Sequence, residues 1–243
     1  MKEPYGACRA LFEEAFPGVA ARWNDALFAR YFPEHVRFLA RDGKLLSMLF
    51  SIPYPVKTPD GVADARYIFG VATPREQRGR GYATELLHAE MERGVPLFLR
   101  PADESLFSFY RRVGLVPFSP YREEQGEAAG DPCGIRSLTM HAYTEAREEL
   151  LPLPHVTPTP AFLELAEMTG GAVGEQGSFA ALYEREGDSV YFKEWCGDSG
   201  AAPRAAAFLG AARYRLRTPD PEGRPFGMTA GLPADTVFLP ALD

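Results

Sequence analysis

Cysteine is scarce, with Cys8, Cys133 and Cys196 the only three in 243 residues. An odd number without metal-type spacing is most simply read as reduced thiols in a cytoplasm, with no metal site. Long apolar runs are lacking too. No stretch approaches the ~20 apolar residues of a membrane span, so no membrane partner is expected. The start, Met1-Lys2-Glu3-Pro4, has no apolar run behind it, and no signal peptide is expected. Basic charge is in deficit, with 26 Lys and Arg against 33 Asp and Glu and a net charge of −7. That excess of acid disfavours general attraction to nucleic acid or anionic membranes, though it leaves room for a local basic pocket.

What is present is an ordinary globular balance, 46% apolar and 24% charged. Such a chain buries enough apolar surface to offset its ordering entropy, which excludes a disordered chain. It also excludes collagen, coiled coil and a small disulfide scaffold. The 23 glycines and 22 prolines exceed the usual ~12% share and indicate many turns.

Periodicity predicts helices over 5–16 and 19–31, the first stopped by Pro17-Gly18. Strands are expected at 35–40 and 44–54, joined by the hairpin signal Asp42-Gly43, followed by a polar loop over 56–63. Then come strand 66–73, helix 79–92, strand 95–99 and helix 103–113 with Asp103 as its cap. Strands at 116–120 and 135–143 close this half. The strand–helix–strand–helix–strand order implies an α+β fold with a central mixed sheet flanked by helices. Prolines at 152, 154, 158 and 160 suggest a semi-extended joint. The expected division is therefore a domain over 1–146, a linker over 147–160 and a smaller α+β domain over 161–243. In the last part, helices are expected at 161–168 and 203–212, and strands at 178–185, 189–195, 213–218 and 226–232. This hairpin–helix–strand order resembles that of the first half, as a degenerate copy would.

The chemistry concentrates at 67–83, YIFGVATPREQRGRGYA. A strand ends at Thr73, and two glycines open a helix after a short loop. A helix N-terminus presents unpaired N–H groups and partial positive charge, and glycines let an anion come close. Arg75, Arg78 and Arg80 add guanidinium forks suited to phosphate. The segment reads as a phosphate site or, equally, as a solvated arginine-rich turn. The Rossmann fingerprint fails for want of a third glycine and a following acid, and no Gly-Lys-Ser/Thr follows as in a Walker loop.

The run Arg78-Gly79-Arg80-Gly81-Tyr82-Ala83 resembles the cofactor motif of the GNAT superfamily, the acyl-CoA-dependent N-acyltransferases. A second resemblance is Tyr110-Arg111-Arg112-Val113-Gly114-Leu115, similar to the family's Tyr-x-x-x-Gly-Phe helix end, with Leu115 in place of phenylalanine. Asp103 stands where many members have asparagine. The resemblance implies a GNAT-like N-terminal domain using acetyl-CoA as cosubstrate. Strand-end groups of Val71, Ala72 and Thr73 would pair with the pantetheine arm. The pyrophosphate would rest on the amides of Arg78, Gly79, Arg80, Gly81, Tyr82 and Ala83, with Thr84 in the first turn. Tyr110 would be the catalytic acid toward the departing thiolate. The implied reaction moves an acetyl group to a small-molecule or peptide amine, and the second half could wall the acceptor site. The alternative is a non-catalytic acyl-CoA-binding or sensing protein, because the strand Arg66–Gly70 lacks the carboxylate that often serves as base.

Other candidate bases are Asp103, Glu104, His88 and the C-terminal carboxylate of Asp243. Tyr54, Tyr67 and Trp195 are either acceptor-pocket walls or core aromatics, and Cys196 reads as a buried, inert thiol.

Overall fold

Helices α1 (Pro4–Ala15) and α2 (Ala21–Tyr31) precede a hairpin of β1 (Val36–Arg41) and β2 (Lys44–Thr58). The turn between the strands has Asp42 at φ 49° and Gly43 at φ 76°, the paired positive angles of the tight turn whose twist matches its strands. Strand β3 (Gly61–Ala72) follows, then α3 (Tyr82–Met91), β4 (Leu97–Leu99) and α4 (Leu106–Val113). The segment 56–63 is therefore not the expected polar loop. Strand β2 runs on to Thr58, whose hydroxyl donates to the Gly61 carbonyl at 3.0 Å, and β3 begins at once.

The computed structural model describes residues 4–239. They divide into two compact units. The first holds the chain up to Pro55 with Ala63–Pro117 and Met228–Leu232. The second holds Val56–Val62, Phe118–Gly227 and the chain from Pro233 onward.

In the first unit, neighbouring residues on a strand point to opposite faces. Phe50 of β2 and Phe69 of β3 turn toward α1 and α2, with ring centroids of Phe28 and Phe50 at 5.3 Å and of Phe12 and Phe50 at 5.8 Å. Leu49 and Ile68, one residue earlier on each strand, pack with Leu87 of α3 and Tyr110 and Val113 of α4. Each such apolar side chain stabilises the fold by about 1.5–3 kcal/mol when fully buried. Strands β3 and β4 are parallel, and β4 pairs antiparallel with residues Met228–Ala230 of β12 (Arg224–Ala230).

The second unit contains most of β5 (Val116–Glu127), then β6 (Arg136–Leu138), α5 (Met140–Leu150), β7 (His155–Val156) and α6 (Pro160–Glu167). After these come β8 (Gly170–Glu175), β9 (Phe179–Glu186), β10 (Ser189–Gly197), α7 (Ala202–Phe208) and β11 (Arg213–Pro219). Strands β8, β9 and β10 are successive antiparallel neighbours; β10 and β11 are parallel, and β5 flanks β11.

Apart from the two-residue β7 between α5 and α6, helix, helix, three strands, helix, parallel strand is thus the order in both units, from α1 to β4 and from α5 to β11. The layering repeats as well. Helix α7 packs with Phe192, Trp195 and Leu216. On the opposite face, Glu194 of β10 accepts from Arg147 Nε at 2.7 Å and Nη2 at 3.0 Å and from the Tyr143 hydroxyl, both on α5.

Several expectations are corrected. The predicted strand 135–143 is a short strand followed by a helix, because the Thr139 hydroxyl caps α5 by accepting the Ala142 amide at 3.1 Å. Tyr143 and Arg147 then recur at a spacing of four on its buried face. Residues 147–160 are no bare joint. They carry the end of α5 and β7, which pairs Val156 with Val56, inside the second unit. That unit starts at Phe118 on its main segment, well before the expected joint. Strand β8 had no strand-like composition, since its glycines serve close packing. A Cβ at Gly170 would meet the Tyr183 carbonyl oxygen at 1.7 Å.

Candidate functional site

In the first unit, β3 and β4 pair only at Arg66↔Leu97 and Tyr67↔Phe98. Strand β4 ends at Leu99 while β3 runs on to Ala72. The strand bends at Gly70, where φ is +61° and a Cβ would stand 2.8 Å from the Phe12 ring. Both the angle and the contact demand glycine there. Val71, Ala72 and Thr73 therefore lie past the parallel pairing, along the edge where the two strands part. The Ser47 hydroxyl anchors this end, donating to the Ala72 carbonyl at 3.0 Å and standing 3.0 Å from Thr73 Oγ1.

The loop after Thr73 folds on itself. A short 3-10 turn occupies Arg75–Gln77, and Arg78 Nε donates to the Thr73 carbonyl at 3.1 Å. Gly79 and Gly81 take φ of +76° and +83°, and a Cβ on either would meet nothing within 4 Å. The need for glycine is thus conformational, and the space in front of the loop is open. Gly81 is the N-cap of α3 and offers no side chain to its amides. The first helical bond is Glu85 N–H to the Gly81 carbonyl, at 2.9 Å. The amides of Tyr82, Ala83 and Thr84 find no acceptor among the described residues and point along the helix's positive end. Arg75 and Arg80 are exposed and have no ion-pair partner among the described residues.

Tyr110 lies on α4, 6% exposed, in the same apolar cluster as Leu97 and Leu99 of β4. Its hydroxyl has no hydrogen-bond partner among the described residues. Burial, aided by the negative charge of Asp103, pushes its pKa up to about 12. The phenol is therefore protonated throughout the neutral range. Gly114, at φ +108°, ends α4 with the Leu115 amide donating to the Tyr110 carbonyl at 3.0 Å. The helix begins at Leu106 and not at 103. Asp103 instead closes the turn before it, accepting the Ser105 amide at 2.9 Å and the Ser105 hydroxyl, and these bonds hold its carboxyl below the usual range.

In the first unit Val71 to Thr73 lead into the Arg78–Thr84 turn, and Val71 packs against the apolar cluster that holds Tyr110. The other sequence candidates fare differently. His88 is engaged, its Nε2 3.0 Å from the Val113 carbonyl, where it ties α3 to the end of α4. Glu104 is exposed on the loop before α4. Tyr54 and Tyr67 are both 2% exposed, with ring centroids 5.5 Å apart, and belong to the core of this unit. Trp195 is a core residue of the second unit. Cys196 is fully buried, and burial pushes its thiol pKa well up, which suits an inert thiol. Asp243 lies outside the described residues. Among the described residues, no three His, Cys, Asp or Glu side chains group as for a metal, and no helix is long and apolar enough to cross a membrane.

Sequence reasoning missed Ser47, which is buried and fixes the end of β3. Its only signal is a serine inside an apolar strand.

Comparison with known proteins gives a consistent result. Residues 2–117 match the family model of the acetyltransferase (GNAT) domain. No curated protein matches. The fold is similar to that of a GCN5-related N-acetyltransferase from Anabaena variabilis, with TM-score 0.70 and 14% identity over 94% of this chain and 70% of that one. It is similar to a second such protein from Kribbella flavida, with TM-score 0.66 and 16% identity over the same shares, 94% and 70%. Eis1 from Mycobacterium abscessus aligns at TM-score 0.61 and 16% identity over 91% of this chain and 64% of that one.

Proposed function

Residues 2–117 form a GNAT acetyltransferase domain, and from that premise we propose that the protein transfers an acetyl group from acetyl-CoA to an amine of a small molecule or peptide. The observation that carries the reading is the end of β3 with the turn that follows. Backbone from Val71 to Thr73 lies past the parallel pairing, and the uncapped amides of α3 follow two glycines that leave open space. An extended pantetheine amide suits the first, and a pyrophosphate suits the second. The cosubstrate supplies an activated thioester whose leaving group is a thiolate.

Tyr110 is the residue assigned to that leaving group. A phenol near 12 is a weaker acid than a thiol, with ordinary pKa about 8.5. Its main contribution is a hydrogen bond to the sulfur as charge develops there, a donor that ionisation does not remove in the working pH range. The acceptor must attack as the neutral amine. With His88 engaged and no carboxylate on the last residues of β3, the amine's proton is assigned to water.

The second unit repeats the element order of the first, which supports reading it as a degenerate copy of the same fold. It lacks the phosphate turn. After β10, Asp198 accepts the Gly200 amide at 2.9 Å, so this turn is already capped by a carboxylate of its own. Only the first unit is assigned a cosubstrate.

Thiol release from acetyl-CoA across a panel of amines, amino acids, aminoglycosides and peptides tests the reading. Amine-dependent release that is lost in Tyr110→Phe supports it. The lack of a carboxylate on the last residues of β3 favours one other outcome. If acetyl-CoA raises the melting temperature but no amine releases thiol, the protein binds acyl-CoA without turnover.

A further inference from the structure

The second unit has a cleft of its own, about 440 Å³ in volume and lined only by residues of that unit. It opens where β10 and β11 part. Their parallel pairing ends at Phe192↔Leu216, and the register of β10 shifts between Phe192 and Glu194. Beyond that point Trp195 and Thr218 both line the cleft. The volume falls within the range typical of small-molecule sites.

Two polar atoms in this lining are unspent. The Trp195 indole Nε1–H and the Thr218 hydroxyl are buried, on residues 0% and 6% exposed, and neither has a hydrogen-bond partner. A buried donor without an acceptor is costly, and native folds seldom retain one unless a ligand or water completes it. Two on one cleft give a ligand a fixed donor and a second group that donates or accepts. The remaining wall is largely apolar, with Leu151 and Leu153 among its members.

The charge of the lining sets the sign of the ligand. Asp220 and Asp235 face a single cation, Arg122. That guanidinium is already engaged by Glu124 at 2.8 Å and by Asp220 at 3.6 Å. Acid is in excess, so a phosphate or carboxylate is disfavoured and a cation is favoured.

We propose that this cleft binds a small amine with an apolar body and a carbonyl or hydroxyl oxygen. The oxygen accepts from the Trp195 indole and meets the Thr218 hydroxyl, the body lies against the leucines, and the ammonium faces Asp220 and Asp235. This site stands apart from the acyl-donor assignment and does not depend on it.

The experiment follows the indole resonances of the uniformly ¹⁵N-labelled full chain. It has two tryptophans, and Trp23→Phe leaves Trp195 as the remaining signal. Phenylalaninamide, a cation with an amide oxygen, is the probe, and N-acetylphenylalanine is its anionic counterpart. The expected result is a saturable shift of the Trp195 signal with a Kd of about 2 mM or tighter for phenylalaninamide. The anion should bind at least about fivefold more weakly. Thr218→Val should weaken the amine about fivefold, and Thr218→Ser should restore it. Asp235→Asn, on an exposed residue that the fold tolerates, should weaken it about threefold. No saturable shift at about 20 mM, ten times the expected Kd, overturns the proposal and leaves the cleft to water. Equal binding of the anion, or full affinity in both Thr218→Val and Asp235→Asn, overturns it as well.

Discussion

The strand–turn–helix crossover occurs twice in this chain, from β3 to α3 and from β10 to α7. The first leaves its helix amides uncapped behind Gly79 and Gly81, with Arg75 and Arg80 exposed beside them. The second closes its turn with Asp198, begins with a 3-10 turn and carries a helix of only seven residues rich in alanine. The glycines differ in kind. Those of the first turn have open space where a Cβ would be, whereas a Cβ at Gly197 would stand 2.2 Å from the Ser178 carbonyl oxygen. One crossover leaves its turn open, and the other packs it against its own neighbours. The same topology thus gives an uncapped turn in one unit and a closed one in the other, because local turn chemistry, and not strand order, decides what the turn faces.

The largest expected effect tests the packing side of this contrast. Arg147 is fully buried and bonded to Glu194. Arg147→Met strands that carboxylate and should destabilise the protein by about 4 kcal/mol in denaturant titration. The affinity of the remaining folded protein for acetyl-CoA should not change, and a parallel loss would break the division of roles.

Tyr110→Phe tests the other side. It should lower kcat for thiol release on the order of 10²-fold while KM for acetyl-CoA stays within about threefold, the pattern of a donor used mainly as charge develops. Unchanged turnover would remove Tyr110 from the reaction.

The glycines give the most direct comparison. Gly81→Val forces a branched side chain to φ +83° and should weaken acetyl-CoA binding about tenfold by calorimetry. Gly197→Ala should instead lower the melting temperature and leave that affinity alone. Next in size, Asp198→Ala removes a cap worth about 1 kcal/mol. It should lower Tm by about 2–4 °C without creating phosphate affinity.

A further effect is one of pH, and it is silent near neutrality. The Tyr110 pKa is raised in the fold from the usual 10 to about 12, so folding favours the neutral phenol. Its stabilising contribution is complete below pH 10 and is lost as pH rises through about 12. No downturn in kcat from this residue is expected between pH 7 and 10. The alkaline loss of stability should be smaller in Tyr110→Phe.

The sequence was most readable where consecutive residues do the work. The Arg78–Ala83 turn, the Asp42-Gly43 hairpin and the Gly114 stop each follow from the backbone angles that a few neighbours must adopt. It was least readable where partners are distant. Helix α5 looked like a strand until Thr139 capped it and Tyr143 and Arg147 met Glu194. Strand β8 was hidden because glycine lowers strand propensity, while its backbone approach to Tyr183 is a tertiary matter.

By itself the sequence determined the mixed α+β class and the glycine-arginine turn at 78–83, because spacing along one strand and one helix encodes them, and the resemblance to the GNAT motifs is what nominated Tyr110. Only the tertiary structure decided that His88 is engaged, that 147–160 folds into the second unit, and that Trp195 and Thr218 share a cleft. Those depend on pairings between residues far apart in the chain, and local propensity carries no record of which distant group will complete a buried hydrogen bond.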